Sequence, residues 1–322
     1  MSKPSRIILL TGVTGQVGSE LYHCLQHLGT VVPTINKGEA FAGKALELDL
    51  SDADSIRAVL KDVRPDLIVN PAAYTAVDKA EQEEALAMKV NARAPEIFAE
   101  WAKAHDASLV HFSTDYVYPG TGTQLYREDD AVGPLNTYGK SKLAGDEAVA
   151  AIGGSYVILR TSWVYGIVGN NFVKTMLRLA GERESLNVVG DQIGAPTSAR
   201  TLSDITSMIL ASSVTKQGFG ALAERKGVYH AVNSGVTSWY DFAREIFRLA
   251  TAHGVPLKLK DLKSIATEAY PTPAQRPKNS RLSLEKLATT FQITPASWDA
   301  ALAWAMPFIV WGQALVPTSL NP

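Results

Sequence analysis

Several things are scarce in this chain, and each scarcity excludes a class of protein. There is one cysteine in 322 residues, Cys24, so no intrachain disulfide is available and a reducing compartment is expected. Cys24 falls on an apolar stripe with Val17, Leu21, Leu25 and Leu28, which reads as buried filler. Charge of either sign is in balance, 31 basic against 32 acidic residues. A nucleic-acid surface would need a clustered basic excess. The strand-like run that starts within a few residues of Met1 leaves no room for a signal peptide. No internal repeat or low-complexity segment is present. Long apolar runs are missing except at the C-terminus, where no charged residue follows Ala300. There, "AALAWAMPFIVWGQALV" is interrupted by Pro307, Gly312 and Gln313, and is short for a membrane span. It reads as a buried C-terminal helix ahead of an oligomer contact or a surface anchor. A cytoplasmic protein without a membrane span is expected.

What is present is an alternation of short β-branched runs with helix-length segments, the pattern of a parallel sheet with helical crossovers. Strands are expected at Arg6–Leu10, Val31–Ile35, Asp66–Asn70, Ser108–Ser113 and Tyr156–Thr161. Helices are expected at Val17–His27, Ser51–Val63, Ala80–Ala104 and Tyr138–Ala151. Beyond residue 165 the rhythm loosens into "SLNVVG", a helix near Thr201–Ser212, "GVYHAV" and a helix over Trp239–His253. The fold class is therefore α/β: a Rossmann-like, doubly wound parallel sheet over residues 1–165. A smaller, substrate-binding lobe covers 166–322, with some elements returning to the main sheet. The Pro-rich "AYPTPAQRPKNSR" reads as an ordered loop on the surface or over a site.

The first crossover, "IILLTGVTGQVGSEL", places Gly12, Gly15 and Gly18 between a buried strand and a helix. Such glycines let the backbone turn tightly and approach a pyrophosphate resting on the helix N-terminus. The spacing is G-x-x-G-x-x-G. The second strand ends Thr34-Ile35-Asn36-Lys37, without the carboxylate that commonly receives the ribose of NAD. A nearby lysine suits the extra phosphate of NADP instead, so NADPH is expected, with NADH possible. In "LELDLSD", Asp49 ends a short strand, where it can accept from the adenine amino group while Ser51 caps the next helix.

The fourth long strand runs into "VHFSTDYVYPGTG". A hydroxyl at that strand end points into the crevice where this class binds ligands, which places Thr114, beside Asp115, on a substrate carbonyl. Asn136 can then cap a helix carrying Tyr138 and Lys142 on one face. Chance supplies such a Tyr-x-x-x-Lys about half the time at this composition. In this setting the pair makes chemical sense: a neighbouring cation lowers the phenol's pKa, and the lysine can also hold the nicotinamide ribose. Tyr138 then protonates a carbonyl oxygen as hydride reaches its carbon, with Thr114 on the developing oxyanion. Lys140, about 200° round the helix, is expected in solvent. Arg276, a guanidinium in the Pro-held loop, is a candidate for the nucleotide diphosphate, with a loop salt bridge as its alternative.

From Arg6 to about Leu287 the sequence resembles the extended short-chain dehydrogenase/reductases, and among them the dTDP-4-dehydrorhamnose reductases. The resemblance rests on "TGQVG", "VNPAAYTAVDKAE", "STDYVYPGTG", "LNTYGKSKLAGDE", "RTSWVYG", "NNFVKTMLRLA", "DQIGAPT" and "YPTPAQRPKNSRL". It implies NADPH- (or NADH-) dependent reduction of the C4 keto group of dTDP-4-dehydro-L-rhamnose, for surface polysaccharide. It also implies site roles: Gly15, Gln16 and Val17 at the cofactor pyrophosphate, Asp49 and Leu50 at the adenine, and Ala72, Ala73 and Tyr74 along its middle. Tyr138 and Lys142 are the catalytic pair, Thr114 and Asp115 stand at the sugar, and Trp163 lies against the sugar ring. Some such enzymes dimerise through a metal held by glutamates. Glu20 matches one position, but Arg200 stands where another carboxylate belongs, so no metal is expected and a homodimer is left possible. Related dehydratases carry Thr-Asp-Glu where this chain has Thr114-Asp115-Tyr116, which favours reduction over elimination. A non-catalytic regulatory subunit of this fold need not keep Thr114, Tyr138 and Lys142 together.

Overall fold

Largely buried runs of four to seven residues form the strands that the pattern implies before residue 165, with Thr30–Ile35 the most exposed of them, and a computed structural model describes residues 6–215 and 218–314. The strands of the N-terminal half are β1 (Ile7–Leu10), β2 (Thr30–Ile35), β3 (Leu46–Glu47), β4 (Leu67–Asn70), β5 (Ser108–Thr114) and β6 (Ser155–Thr161). Shorter ones follow: β7 (Val164–Tyr165), β8 (Ser185–Val189), β9 (Ile193–Gly194), β10 (Thr197–Ser198), β11 (Gly227–His230), β12 (Thr237–Ser238), β13 (Asp261–Ile265) and β14 (Asn279–Ser280). The first helices are α1 (Gln16–Cys24), α2 (Ala53–Val63), α3 (Val77–Ala80), α4 (Glu84–Met88), α5 (Ala94–Ala104) and α6 (Thr137–Ile152). Then come α7 (Phe172–Glu182), α8 (Ala199–Ala211), α9 (Trp239–Ala252), α10 (Glu285–Phe291) and α11 (Trp298–Ala314).

Seven strands make one parallel sheet in the order β11-β6-β5-β4-β1-β2-β3. The order reverses between β1 and β4, which opens a crevice at the carboxyl ends of those strands. Alternate residues feed the two faces. Ile8, Leu10, Val69 and Val110 pack with α1, α8 and α10 through Leu21, Leu202, Ile205 and Leu287. Leu9, Ile68 and Leu109 pack with α2, α5 and α6 through Leu60, Phe98 and Val149. A separate core of Phe242, Ile246, Leu177, Leu302 and Met306 binds α7, α9 and α11 around β8. β11 lies beyond residue 165 and pairs with β6.

The Ala80–Ala104 helix is not continuous. It breaks into α3, α4, a π-turn at Lys89–Arg93 and α5. Asp52, rather than Ser51, caps α2, its side chain accepting from Asp54 N. Cys24 is only half-buried, its Sγ 4.0 Å from Asp204 Oδ1. The C-terminal apolar stretch forms α11 with one face buried (Leu302, Met306, Ile309), while Trp304, Phe308 and Trp311 are exposed. The rest of that stretch, with residues 315–322, lies outside the described residues. Among the described residues no helix is long and apolar enough to cross a membrane.

Candidate active site

A crevice of about 660 Å³ lies over the reversal point of the sheet. All the residues expected at the cofactor line it: Gly12, Gly15, Gln16, Val17, Gly18, Asp49, Leu50, Ala72, Ala73, Tyr74, Tyr138 and Lys142. Its size is that of a pocket for a ligand of cofactor class. The glycine loop is built for close approach. Gly12 adopts φ +58°, and a Cβ there would stand 2.8 Å from Ala72 Cβ. A Cβ on Gly18 would stand 2.0 Å from Gly12 O, so the helix start and the loop touch backbone to backbone. Gly15 caps α1 without a side-chain bond, which leaves the first-turn N–H groups for an anion. These features fit a dinucleotide pyrophosphate.

At the adenosine end, Asp49 accepts from Ser51 N at 2.8 Å and Ser51 Oγ at 2.7 Å; both bonds hold its carboxyl below its usual range. Glu39, which the sequence reading passed over, also lines the crevice. Its Oε2 accepts from Thr14 Oγ1 at 2.5 Å and from Asn36 N at 3.1 Å. A carboxylate therefore does reach this end, four residues beyond β2. The only sequence signal is Gly38, whose φ of +83° turns the chain back.

The catalytic helix is set by its cap. Asn136 Oδ1 accepts from Gly139 N at 2.8 Å, as its position implied, and Asn136 Nδ2 donates to Gln275 O at 2.8 Å. Gly139 and Gly145 let α6 sit against its neighbours: Cβ atoms there would meet Tyr116 O at 2.3 Å and Asn91 O at 2.1 Å. Asn91, on the π-turn, donates to Tyr74 O and Ser141 Oγ at 3.0 Å each and accepts from Tyr74 N at 2.9 Å. It ties the crevice wall to α6, a role invisible before the turn was seen. Tyr74 itself is pushed up to about 12 by its hydroxyl bond to Glu83.

Tyr138 lies beside Thr114 and stands edge-on to Tyr116, ring centroids 5.8 Å apart. Its pKa is not lowered by Lys142 as expected. Burial raises it well above the ordinary value, with Asp115 and Asp146 adding to the rise and Thr114 opposing it. Lys142 is buried and donates to Phe112 O at 2.6 Å, with His111 Nε2 3.3 Å away. Burial pulls its pKa down to about 8, against the pull of Asp146 one turn on. Lys140 is exposed.

Thr114 ends β5 and Asp115 opens the short 3-10 turn after it, just behind the crevice. Thr114 Oγ1 donates to Asp115 Oδ1 at 3.1 Å and accepts from Tyr116 N at 3.2 Å. Asp115 is 2% exposed and burial pushes it up to about 7, opposed by Ser280 and Thr114. Ser280 lowers it by proximity, since Oδ2 has no partner of hydrogen-bond geometry. Trp163 takes a left-handed φ of +50° and stacks on Trp239 at 3.7 Å, its ring edge against Gly194. Arg276 is in the loop salt bridge. Its guanidinium holds Asp78 through both oxygens, at 3.0 and 2.8 Å, and donates to Ala274 O. A guanidinium so engaged straps the loop to α3, and these contacts do not show a free phosphate fork. Glu20 faces Arg200 at 3.8 Å, and among the described residues no cluster of His, Cys, Asp and Glu is arranged for a metal.

A glycine-lined crevice, a capped helix with Tyr138 and Lys142, and a threonine beside that tyrosine define an oxidoreductase of the short-chain dehydrogenase/reductase class. The comparisons narrow it. The family model described as "RmlD substrate binding domain" matches residues 6–307, some twenty residues past the reach of the quoted motifs. The dTDP-4-dehydrorhamnose reductase of Escherichia coli K12 is 44% identical over 295 residues, 92% of this chain and 95% of that protein. That of Salmonella typhimurium LT2 is 45% identical over 91% of this chain and 94% of its own. The solved Bacillus anthracis dTDP-4-dehydrorhamnose reductase in complex with NADP superposes with a TM-score of 0.82. Its identity is 35%, over 95% of this chain and 99% of that one. The chain belongs to the dTDP-4-dehydrorhamnose reductase family.

Proposed function

We propose that this protein reduces the C4 keto group of dTDP-4-dehydro-L-rhamnose to give dTDP-L-rhamnose, with NADPH as reductant. The observation that carries the reading is the placement of Tyr138 and Lys142, one turn apart on α6, both lining the same crevice as the glycine loop. Gly12, Gly15, Gln16, Val17 and Gly18 hold the cofactor pyrophosphate, Asp49 and Leu50 its adenine, and Ala72, Ala73 and Tyr74 its middle. When bound, the reduced nicotinamide supplies hydride to the carbonyl carbon. Thr114 turns its hydroxyl onto the carbonyl oxygen and stabilises charge as it develops there. Tyr138 donates its phenolic proton to the same oxygen. Its raised pKa keeps that proton in place until an oxyanion more basic than phenolate is forming. Lys142 holds the nicotinamide ribose through an ammonium donor and offsets the phenolate left behind.

Asp115 and Trp163 are assigned to the sugar, and the elements around β8, α7 and α9 to the lobe that receives it. Arg276 acts on the diphosphate only through the loop it fixes. Tyr116, half-buried and held protonated by desolvation first and Asp115 second, offers no second carboxylate for eliminating water, which favours reduction over dehydration. The reaction belongs in the cytoplasm, where both nucleotides are made, and the exposed apolar face of α11 leaves a homodimer possible. The test is incubation of purified protein with dTDP-4-dehydro-L-rhamnose and NADPH, following nicotinamide absorbance and product. Intact nicotinamide despite demonstrated binding of both would refute the reading.

A further inference from the structure

Beneath the floor of the crevice a row of buried polar side chains crosses three strands. β1 and β4 pair Leu10 with Val69, which puts Thr11 level with Asn70; β4 and β5 pair Asn70 with His111. All three sit on the face that otherwise buries Leu9, Ile68 and Leu109 under α5 and α6. Thr11 Oγ1 and Asn70 Oδ1 are 2.7 Å apart, Asn70 Nδ2 and His111 Nδ1 3.2 Å, and His111 Nε2 and Lys142 Nζ 3.3 Å. Thr11, Asn70 and His111 are each 0% exposed. Aliphatic residues would fill this row without the desolvation of three polar groups, so the row serves something other than core stability.

We propose that His111, oriented by Asn70 and Thr11, is a positioning residue that seats the Lys142 side chain for its work in the crevice. An ammonium has three N–H donors. One goes to Phe112 O at 2.6 Å and a second faces His111 Nε2, so the third is directed to the crevice that Lys142 lines. For Nε2 to accept, the imidazole must be neutral with its proton on Nδ1. Asn70 then presents its oxygen to Nδ1 and its amide to Thr11 Oγ1, which also accepts from Ala72 N at 3.2 Å. A half-turn of the carboxamide provides this with no change in its shape. Burial and then the Lys142 charge both push His111 far below its ordinary pKa, so the ring stays neutral. The other groups bearing on Lys142 are Asp146 one turn along α6, Arg160 of β6 behind Asp146, and Tyr138 one turn back.

The inference rests on Lys142 touching the cofactor, and its test needs no sugar nucleotide. NADPH affinity is titrated by nucleotide fluorescence from neutral pH up through the Lys142 pKa of about 8. In the parent protein affinity falls as that ammonium loses its proton. His111→Phe keeps the ring and removes the acceptor, leaving a buried N–H unpaired; the fall should move down by on the order of one pH unit. Affinity at neutral pH should drop several-fold. His111→Gln restores an acceptor and should return most of the shift. Asn70→Leu, which frees the imidazole to place its proton on Nε2, should move the fall the same way and serves if His111→Phe does not fold. A fall at the parent pH in folded His111→Phe or Asn70→Leu overturns the proposal, as does a His111→Gln variant impaired as much as His111→Phe. Failure of sugar-nucleotide turnover would count against the proposed reaction alone.

Discussion

Asp146→Asn removes the one buried carboxylate that two buried cations share. Arg160 Nε lies 3.1 Å from Asp146 Oδ2, with side-chain exposures of 6% and 3%, and Asp146 is the group that holds the Lys142 pKa up against burial. Arg160 has further partners: its Nη1 donates to Tyr118 OH at 2.8 Å, and its guanidinium lies 5.1 Å over the Tyr118 ring. Those contacts are neutral and do not replace the lost charge. Removing one partner of a buried ion pair costs about 3–5 kcal/mol, because the other charge stays behind. In a chain of this size that lowers the melting temperature by on the order of 5–10 °C. The second effect falls on Lys142. With a pKa of about 8 it is charged at neutral pH, and each unit lost costs about 1.4 kcal/mol of the ammonium form. The sign is that of a cation losing its counter-charge: NADPH binding and turnover should fade at lower pH than in the parent. Differential scanning calorimetry and a pH titration of NADPH affinity measure the two effects separately. The double variant Asp146→Leu/Arg160→Met separates them further. It should regain most of the stability, since no unpaired arginine remains, and keep the lowered pH limit. A melting temperature within about one degree of the parent in Asp146→Asn would refute the claim that the pair is tightly coupled.

Tyr138→Phe should leave NADPH affinity close to the parent value and cost about 10²–10⁴ in kcat; undiminished turnover would remove Tyr138 as the proton donor. Glu39→Gln removes a carboxylate from the adenosine end and should raise the ratio of NADPH to NADH affinity several-fold at low salt, fading as salt is added. An unchanged ratio would show that Glu39 does not face the ribose. Thr114→Val, which keeps the shape and loses the hydroxyl, should reduce kcat by about 10²–10³ with little change in NADPH affinity; equal losses in affinity and turnover would argue for a structural role.

The crossover rhythm was readable because strands buried on both faces must be continuous apolar runs, and the loop between β1 and α1 must be glycine where backbones touch. Asn136 was readable for a local reason too, since an N-cap needs only its own helix. What escaped is non-local. A π-turn adds one residue and so shifts the apolar register by one position, a change too small to break the helical pattern of Ala80–Ala104, and the reach of Asn91 went unseen. β9, β12 and β14 are two residues each, too short for any periodicity. The apolar run at α11 has polar relief only near its end, so nothing in it distinguishes the buried Met306 from the exposed Phe308. Arg276 could be read as a phosphate ligand or a salt bridge, and the ion pair it makes is with Asp78, 198 positions away in sequence.

The polar residues in and after the strands break the apolar pattern in a systematic way. "IILLT", "LIVN", "SLVHFST" and "SYVILRT" all turn polar toward the carboxyl end, where Thr11 and Thr161 line the crevice and Asn70 and Thr114 lie buried beside it. His111 in β5 and Arg160 in β6 are titratable groups placed before the end of a buried strand. His111 lies three residues short of Thr114 yet beside Asn70, because β4 ends early and its last residue meets the middle of β5. Arg160 lies beside Ser113 in the same register and reaches Asp146 on α6. Both interruptions point to the face where α6 packs, and both lead to Lys142, one through an imidazole and the other through a carboxylate. A buried lysine keeps its charge only if its neighbours are arranged for it. The two polar residues that look out of place in β5 and β6 are therefore part of the site, although neither lines the crevice.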